Sequence, residues 1–227
     1  MYSLILLAGG TGARMQQSVP KQYLLLAGKP VIMHTLERID RIEEIQKIVI
    51  VCTEEYMQII KEMLRQYAIH TFIQFAIAGS SRQESVWSGL QCVDTERVIL
   101  HEAARPFVSE EDFRRLIADK ADNVMFGIPI PFTVLKGHEF VEELLNRKEL
   151  VNVQLPQKFL TKDLYYAHEK AIDDEQVFTE DAGMVFTYVK NQKVKVLQGM
   201  DYNIKLTTPM DLLTGEIIYK EHFARKK

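Results

Sequence analysis

The residues best suited to chemistry stand near the start of the chain. After an apolar run, Ala8-Gly9-Gly10-Thr11-Gly12-Ala13-Arg14-Met15 is followed by Val19-Pro20-Lys21-Gln22-Tyr23. Glycines at the C-terminal end of a strand let the backbone approach a bound phosphate and turn several N–H groups toward it, where a Cβ would stand in the way. Arg14 and Lys21, seven residues apart, are cations that can screen the charge of a triphosphate. The arrangement suits a triphosphate cradle. Two other glycine-rich loops fail on the letters. A dinucleotide fingerprint G-x-G-x-x-G begun at Gly10 needs glycine or alanine where Met15 stands. A Walker A loop needs Gly-Lys followed by Ser or Thr, and Gly28-Lys29 is followed by Pro30.

Such a loop has to be placed by a sheet. Short apolar runs predict strands at Leu4 to Leu7, Ile48 to Cys52, Phe72 to Ala76, Val98 to His101 and Val124 to Pro129. Segments of helical period lie between them, at Val31 to Ile42, Glu54 to Tyr67, Ser81 to Cys92 and Glu110 to Asp119. Ser109 is a suitable N-cap for the last, with Asp112 at its third position. The stretch from Pro131 to Leu150 has little clean period and many charges, so it is expected to be a surface excursion or an arm packed on another subunit. Helices are predicted again at Lys162 to Ile172, Glu180 to Tyr188 and Pro209 to Tyr219, with a strand at Val194 to Leu197. Alternation of this kind builds βαβ units. The expected fold is α/β, a three-layer α/β/α arrangement with a mainly parallel sheet, one domain over residues 1–227, and a nucleotide at the C-terminal ends of the strands.

Bulk composition narrows the partners. The chain has 227 residues, 47% of them hydrophobic, with 28 basic against 31 acidic side chains and a formal charge of −3. That balance supplies no basic field for a polynucleotide backbone, so no nucleic-acid partner is expected. The apolar start is too short for a signal peptide, and no run reaches the length that spans a bilayer, so a cytoplasmic protein without a membrane partner is expected. Cys52 and Cys92 show no C-x-x-C spacing and read as reduced, buried thiols.

The motifs also resemble those of a known family. Leu7-Ala8-Gly9-Gly10-x-Gly12-x-Arg14-Met15 with Pro20-Lys21-Gln22-Tyr23 is similar to the signature of the sugar- and polyol-phosphate nucleotidyltransferases. The Pro-Lys-Gln form resembles the cytidylyltransferases acting on 2-C-methyl-D-erythritol 4-phosphate or ribitol 5-phosphate. Gly79-Ser80-Ser81-Arg82-Gln83-Glu84-Ser85-Val86 is similar to the family's second nucleotide loop, and His101-Glu102-Ala103-Ala104-Arg105-Pro106 to its H-D-A-A-R-P segment. Gln154-Leu155-Pro156-Gln157 matches Q-T-P-Q at three of four positions. Thr179-Glu180-Asp181-Ala182 resembles T-D-D-A, and Asn203-Ile204-Lys205-Leu206-Thr207 closes the series.

The resemblance implies a Rossmann-like nucleotidyltransferase fold with a protruding dimerisation arm over about residues 131–150, a homodimer, and CTP and a polyol phosphate as substrates. It implies that Arg14 and Lys21 bind the triphosphate and that Lys21 with Lys205 stabilises the crowded α-phosphorus. Ala8, Gly9, Gly10, Gly12, Gly79, Ser80 and Ser85 are the implied nucleotide-binding positions, with Arg82 supporting the second loop. Arg105, Thr133 and Arg147 are implied for the acceptor, some of them contributed across the dimer. Arg147 stands eight residues before Leu155, the family's spacing between its arginine and the threonine of Q-T-P-Q.

Magnesium is the expected cofactor, since a triphosphate is normally handled as its metal complex, and Glu102 is the candidate metal-associated acid. The family usually has aspartate there, and one extra methylene displaces the carboxylate by roughly 1.5 Å. His101 is expected to shape the strand end rather than carry protons. Three departures from the family pattern bear on the acceptor or lie near it: Leu155 for threonine, Pro131-Phe132-Thr133 where an Asp-Thr pair is usual, and Gly9 for the second alanine of L-A-A-G. The leading expectation is a cytidylyltransferase acting on 2-C-methyl-D-erythritol 4-phosphate. Ribitol 5-phosphate or another cell-envelope polyol phosphate is the alternative acceptor, and a non-catalytic nucleotide-binding protein the third reading.

Overall fold

A computed structural model describes residues 1–10 and 19–224, so the expectations for Gly12 and Arg14 lie outside the described residues. Strands and helices alternate through the first half: β1 (Tyr2–Leu7), β2 (Leu25–Leu26), β3 (Lys29–Pro30), α1 (Val31–Ile39), β4 (Ile45–Cys52), α2 (Glu54–Gln66), β5 (Phe72–Ile77), α3 (Arg82–Leu90), β6 (Arg97–Glu102), α4 (Glu110–Ala118) and β7 (Asn123–Pro129). The second half holds β8 (Val134–Gly137), β9 (Val141–Leu145), β10 (Val151–Leu160), α5 (Thr161–Asp173), α6 (Asp181–Tyr188), β11 (Val194–Gln198) and α7 (Pro209–Ile218).

Seven strands form the main sheet in the order β11-β7-β10-β6-β1-β4-β5. β1 runs parallel to β4 and β6, β4 to β5, and β7 to β11. Successive side chains of a strand face opposite ways, and here both faces are covered. Leu4 and Leu6 pack with Ile32, Leu36, Ile60 and Phe113 on one side, while Ile5 packs with Val86, Leu164 and Val185 on the other. The expected three-layer, mainly parallel α/β fold is therefore the one found. The capping expected at Ser109 is present as a reciprocal pair with Asp112, and Thr208 and Asp211 repeat it at α7.

β10 was not foreseen. It lies antiparallel between β6 and β7, and its pairing shifts between Gln154 and Gln157, where Pro156 has no N–H for a ladder. The aperiodic stretch before it contains a separate antiparallel hairpin, β8 with β9. Its turn uses Gly137 at φ 138°, and a side chain there would run into the Phe140 carbonyl. Cys52 is buried as expected, whereas Cys92 is only half-buried; both are free thiols. Among the described residues no helix is long and apolar enough to cross a membrane.

Candidate active site

A cleft of about 460 Å³ opens at the C-terminal ends of the parallel strands. Gly9, Gly10 and Lys21 line one wall, Gly79, Ser80 and Ser85 another, and Glu102 and Lys205 the floor between them. Sequence blocks nearly two hundred residues apart thus meet around one space.

The glycine loop is fixed by groups around it. The Ala8 N–H donates to Val51 O at 2.7 Å. Gln22, buried in the short turn that begins at Lys21, donates from Nε2 to Ala8 O at 2.6 Å and Gly10 O at 3.0 Å. A Cβ at Gly9 would land on the Ala78 methyl, so the close approach of the two loops requires glycine there. Among the described residues, a Cβ at Gly10 would meet nothing within 4 Å.

The second loop is braced from within. Ser85 Oγ accepts from the Gly79 N–H at 3.1 Å and donates to Ser81 O at 2.8 Å. Ser81 caps α3 by accepting from Glu84 N–H, and the Glu84 carboxylate takes the Ser80 N–H at 2.8 Å. Hydrogen bonds from Ser80 hold the Glu84 carboxyl below its ordinary pKa. The N-terminus of α3, the positive end of its helix dipole, lies beside the cleft.

A charge cluster forms the floor. Glu102 ends β6, and its Oε1 lies 2.9 Å from Lys205 Nζ and 3.4 Å from Arg82 Nε. Its Oε2 lies 3.3 Å from Arg105 Nε. Burial alone would raise the pKa of this carboxyl, but Lys205, Arg105 and Arg82 together outweigh it and bring it down to about 2. Glu102 is therefore ionised at neutral pH. Arg82 also touches Asp181, whose Oδ2 is 2.6 Å from Nη1, and Asp181 Oδ1 lies 3.0 Å from His168 Nε2.

Lys205 is carried by a loop tied to β10. Asn203 Nδ2 donates to Leu155 O at 2.8 Å, and Gln154 Nε2 donates to Met200 O at 2.9 Å. Leu206 N–H donates to Ala104 O at 2.9 Å, which joins this loop to the Ala-Ala-Arg-Pro turn. Arg105 lies behind Glu102 and donates from Nη1 to Asn203 O at 3.1 Å. His101, fully buried, contacts Arg105 O through Nε2 at 3.1 Å, and burial lowers its pKa to about 4.

Thr133 and Arg147 lie elsewhere in the chain. They share a hollow of about 400 Å³ on the arm, where the Arg147 guanidinium donates to Pro131 O. Within one chain, then, the implied acceptor residues divide between Arg105, behind Glu102, and two exposed side chains that flank the hairpin. Leu155, placed by the sequence at a substrate wall, is 4% exposed in the core, packed with Ala182 and Met184, so its side chain does not border the cleft. Phe132 is 75% exposed.

Sequence reasoning gave no role to Gln22, Thr53, His168, Asp181 or Asn203. Gln22, Asp181 and Asn203 stand inside quoted motif blocks, which was a usable signal. Thr53, at the end of β4, lines the cleft from a position with no motif around it.

Among the described residues no three His, Cys, Asp or Glu side chains group as a metal cage. Glu102 offers one ionised carboxylate at the edge of the cleft. Both of its oxygens are engaged by Lys205, Arg82 and Arg105, so a magnesium ion carried on nucleotide phosphates and water would reach this carboxylate only by displacing one of those cations.

Comparison with known proteins agrees with this geometry. The family model described as 2-C-methyl-D-erythritol 4-phosphate cytidylyltransferase matches residues 2–221. The protein of that name from Halalkalibacterium halodurans is 35% identical over 224 residues, covering 97% of each chain. The chloroplastic protein of that name from Oryza sativa is 36% identical over 225 residues, 96% of this chain and 74% of the rice protein. The crystal structure of 4-diphosphocytidyl-2C-methyl-D-erythritol synthase from Anaerococcus prevotii superposes with a TM-score of 0.86 at 31% identity, covering 96% of each chain.

Proposed function

The chain belongs to the 2-C-methyl-D-erythritol 4-phosphate cytidylyltransferase family, and from that premise we propose that it transfers CMP from CTP to 2-C-methyl-D-erythritol 4-phosphate in isoprenoid precursor biosynthesis. The observation that carries this reading is the meeting of Lys21, Lys205 and Glu102 with two braced glycine loops in one cleft.

In the reaction a phosphate oxygen of the acceptor forms a bond to the α-phosphorus of CTP. The bond to the bridging oxygen breaks in line, and its electron pair leaves with pyrophosphate. The protein has little covalent work to do, so positioning and charge stabilisation dominate. Gly9, Gly10, Gly79, Ser80 and Ser85 cradle the nucleotide, with Ala8 fixing the loop behind them. Arg14 and Lys21 hold the triphosphate, and Lys21 with Lys205 faces the charge that builds at the α-phosphorus. Lysine suits that task as a point charge.

Glu102 would be the residue to hold magnesium brought in on the phosphates, and the ion would supply further neutralisation of the triphosphate. Arg105 grips the acceptor phosphate from the same chain. Thr133 and Arg147 complete the acceptor site from the arm of a second copy, and a homodimer goes with that reading because the arm exposes Phe132, Leu135, Phe140, Val141 and Leu144 to solvent. The whole chain acts as one nucleotidyltransferase domain. Its setting is the cytoplasm, which suits two free thiols.

The test is pyrophosphate release with CTP, Mg²⁺ and a panel containing 2-C-methyl-D-erythritol 4-phosphate and ribitol 5-phosphate, with products identified by mass spectrometry. The methylerythritol phosphate is expected to be used well above the rest. Preferred use of ribitol 5-phosphate would move the assignment to that acceptor, and tight CTP binding without turnover would leave a nucleotide-binding protein.

A further inference from the structure

Arg38, near the end of α1, is a half-buried cation that the transfer chemistry leaves without a part. A desolvated arginine is ordinarily matched by a carboxylate. Among the described residues Arg38 forms no ion pair. Its Nη1 donates instead to the carbonyls of Pro106 and Val108, the latter at 3.2 Å, and the Phe223 ring covers the guanidinium with its centroid 4.3 Å from Cζ. Burial brings the pKa of this arginine down to about 10. Thr35, one turn earlier and 1% exposed, donates from Oγ1 to Arg105 O at 3.4 Å. Three carbonyls of the turn after β6 are thus held from α1.

That turn matters to the cleft. It contributes Glu102 and Ala104 to the lining, and it sets Arg105 Nε 3.3 Å from Glu102 Oε2. Leu206, next to Lys205, is tied to it through Ala104 O. Phe223 spans the same two segments: its ring lies 5.9 Å, centroid to centroid, from Phe107 in the turn and 5.9 Å from Tyr202, three residues before Lys205. Pro106 and Val108 are buried, so without the Arg38 donors their carbonyls could regain partners only if the turn shifted.

We propose that Arg38, covered by Phe223, is a positioning residue for acceptor binding: by holding the Pro106 and Val108 carbonyls it sets the Arg105 guanidinium in place against Glu102. Arg38 does not line the cleft and acts only through the turn. The inference rests on the reading of Arg105 as a contact of the acceptor phosphate.

Arg38→Met keeps much of the length of the side chain and removes its donors. Steady-state kinetics with CTP and 2-C-methyl-D-erythritol 4-phosphate should show the KM of the acceptor raised about 10-fold, short of the roughly 10²-fold that a misplacement of about 1 Å can cost. The KM of CTP should change little. Arg38→Lys, which keeps one charged donor group, should recover part of the loss. In an Arg105→Lys background, where the fork being aimed has gone, Arg38→Met should add little. A folded Arg38→Met variant with wild-type acceptor KM, an equal rise in both KM values, or an undiminished effect in the Arg105→Lys background overturns the proposal. Should Arg38→Met fail to fold, Phe223→Leu uncovers the guanidinium and carries the same measurement, and an unchanged acceptor KM there overturns it as well. Failure of the acceptor reading would look different: Arg105→Lys with Arg38 intact would leave the acceptor KM unchanged, and the inference would fall with that reading.

Discussion

Gly9 and Ala78 leave no room for two methyl groups: a Cβ on the first would stand 2.3 Å from the Cβ of the second. Their loops hang from neighbouring carbonyls of β4, Ala8 from Val51 and Ala78 from Cys52. Glycine in place of the family's second alanine is thus a packing consequence of Ala78 rather than a mark of acceptor choice. Gly9→Ala should cost about 1–3 kcal/mol of stability through overpacking and raise the KM for CTP. Adding Ala78→Gly should restore both. Thermal unfolding and CTP kinetics on the two single variants and the pair check it, and a pair no better than Gly9→Ala would refute it.

Lys21→Ala and Lys205→Ala should each lower kcat by about 10²-fold or more, on the scale of losing one preorganised transition-state donor. Single-turnover measurements at saturating CTP separate this from weakened binding. Near-wild-type rates in both variants would remove the lysines from the mechanism.

Two buried groups give the stability profile a defined sign. His101 has its pKa lowered to about 4 from the ordinary 6.5, chiefly by burial, so the folded state binds its proton less readily than the unfolded chain. Its contribution is complete above pH 6.5 and is lost as pH falls toward 4. Between pH 7 and pH 5 the loss amounts to about 2 kcal/mol. Glu102, held at about 2 against an ordinary 4.5, keeps its contribution until pH falls below 4.5. Urea unfolding of His101→Gln should therefore show a shallower fall between pH 7 and pH 5 than wild type, and parallel curves would contradict the assignment.

The arm should govern both association and acceptor affinity. Phe140→Asp with Leu144→Asp places charge on its exposed apolar surface, and light scattering should then find monomers where a dimer is expected of the wild type. Arg147→Ala should raise the KM of the acceptor by about 10-fold or more, the effect of losing a charged hydrogen bond worth 1.5–3 kcal/mol, with the KM of CTP little changed. A monomeric wild type would dissolve the first expectation.

Leu155→Thr restores the family's letter but not a substrate contact. The side chain lies in the core, so the change removes apolar packing and buries a hydroxyl, at a cost of about 2 kcal/mol or more. Acceptor kinetics should stay unchanged while denaturant midpoints fall. A lower acceptor KM in this variant would return residue 155 to the substrate wall.

The sheet was legible in the sequence wherever a strand is apolar on both faces, as in Ile48 to Cys52 or Val98 to Leu100. β10 escaped because three of its buried positions, among the apolar ones, are polar. Gln154, Gln157 and Lys158 are at most 5% exposed, and each spends its side chain on a distant partner, Lys158 on Asp119 O at 2.7 Å, for instance. The hairpin escaped for the opposite reason, since its strands face solvent and carry no alternation to read. At the cleft, the first glycine block could be found because its chemistry demands those letters, whereas the second block and Lys205 were found through their resemblance to the family's motifs. The joining of Arg82 to Asp181 could not, because ninety-nine residues separate them and only the packing of α3 and of α6 on α5 brings them together.

β10 emerges from the arm at Val151, gives its middle to the loop of Lys205 through Gln154 and Leu155, and ends pairing with the strand that carries Glu102. One continuous strand therefore serves as a common ruler for both substrates. Extra residues at the hairpin tip near His138 lengthen only the arm, whereas a single residue inserted between Val151 and Gln157 would shift the reading frame of the sheet and move the acceptor side relative to the nucleotide side. The length of the arm is independent of the sheet's register; the spacing behind it is not.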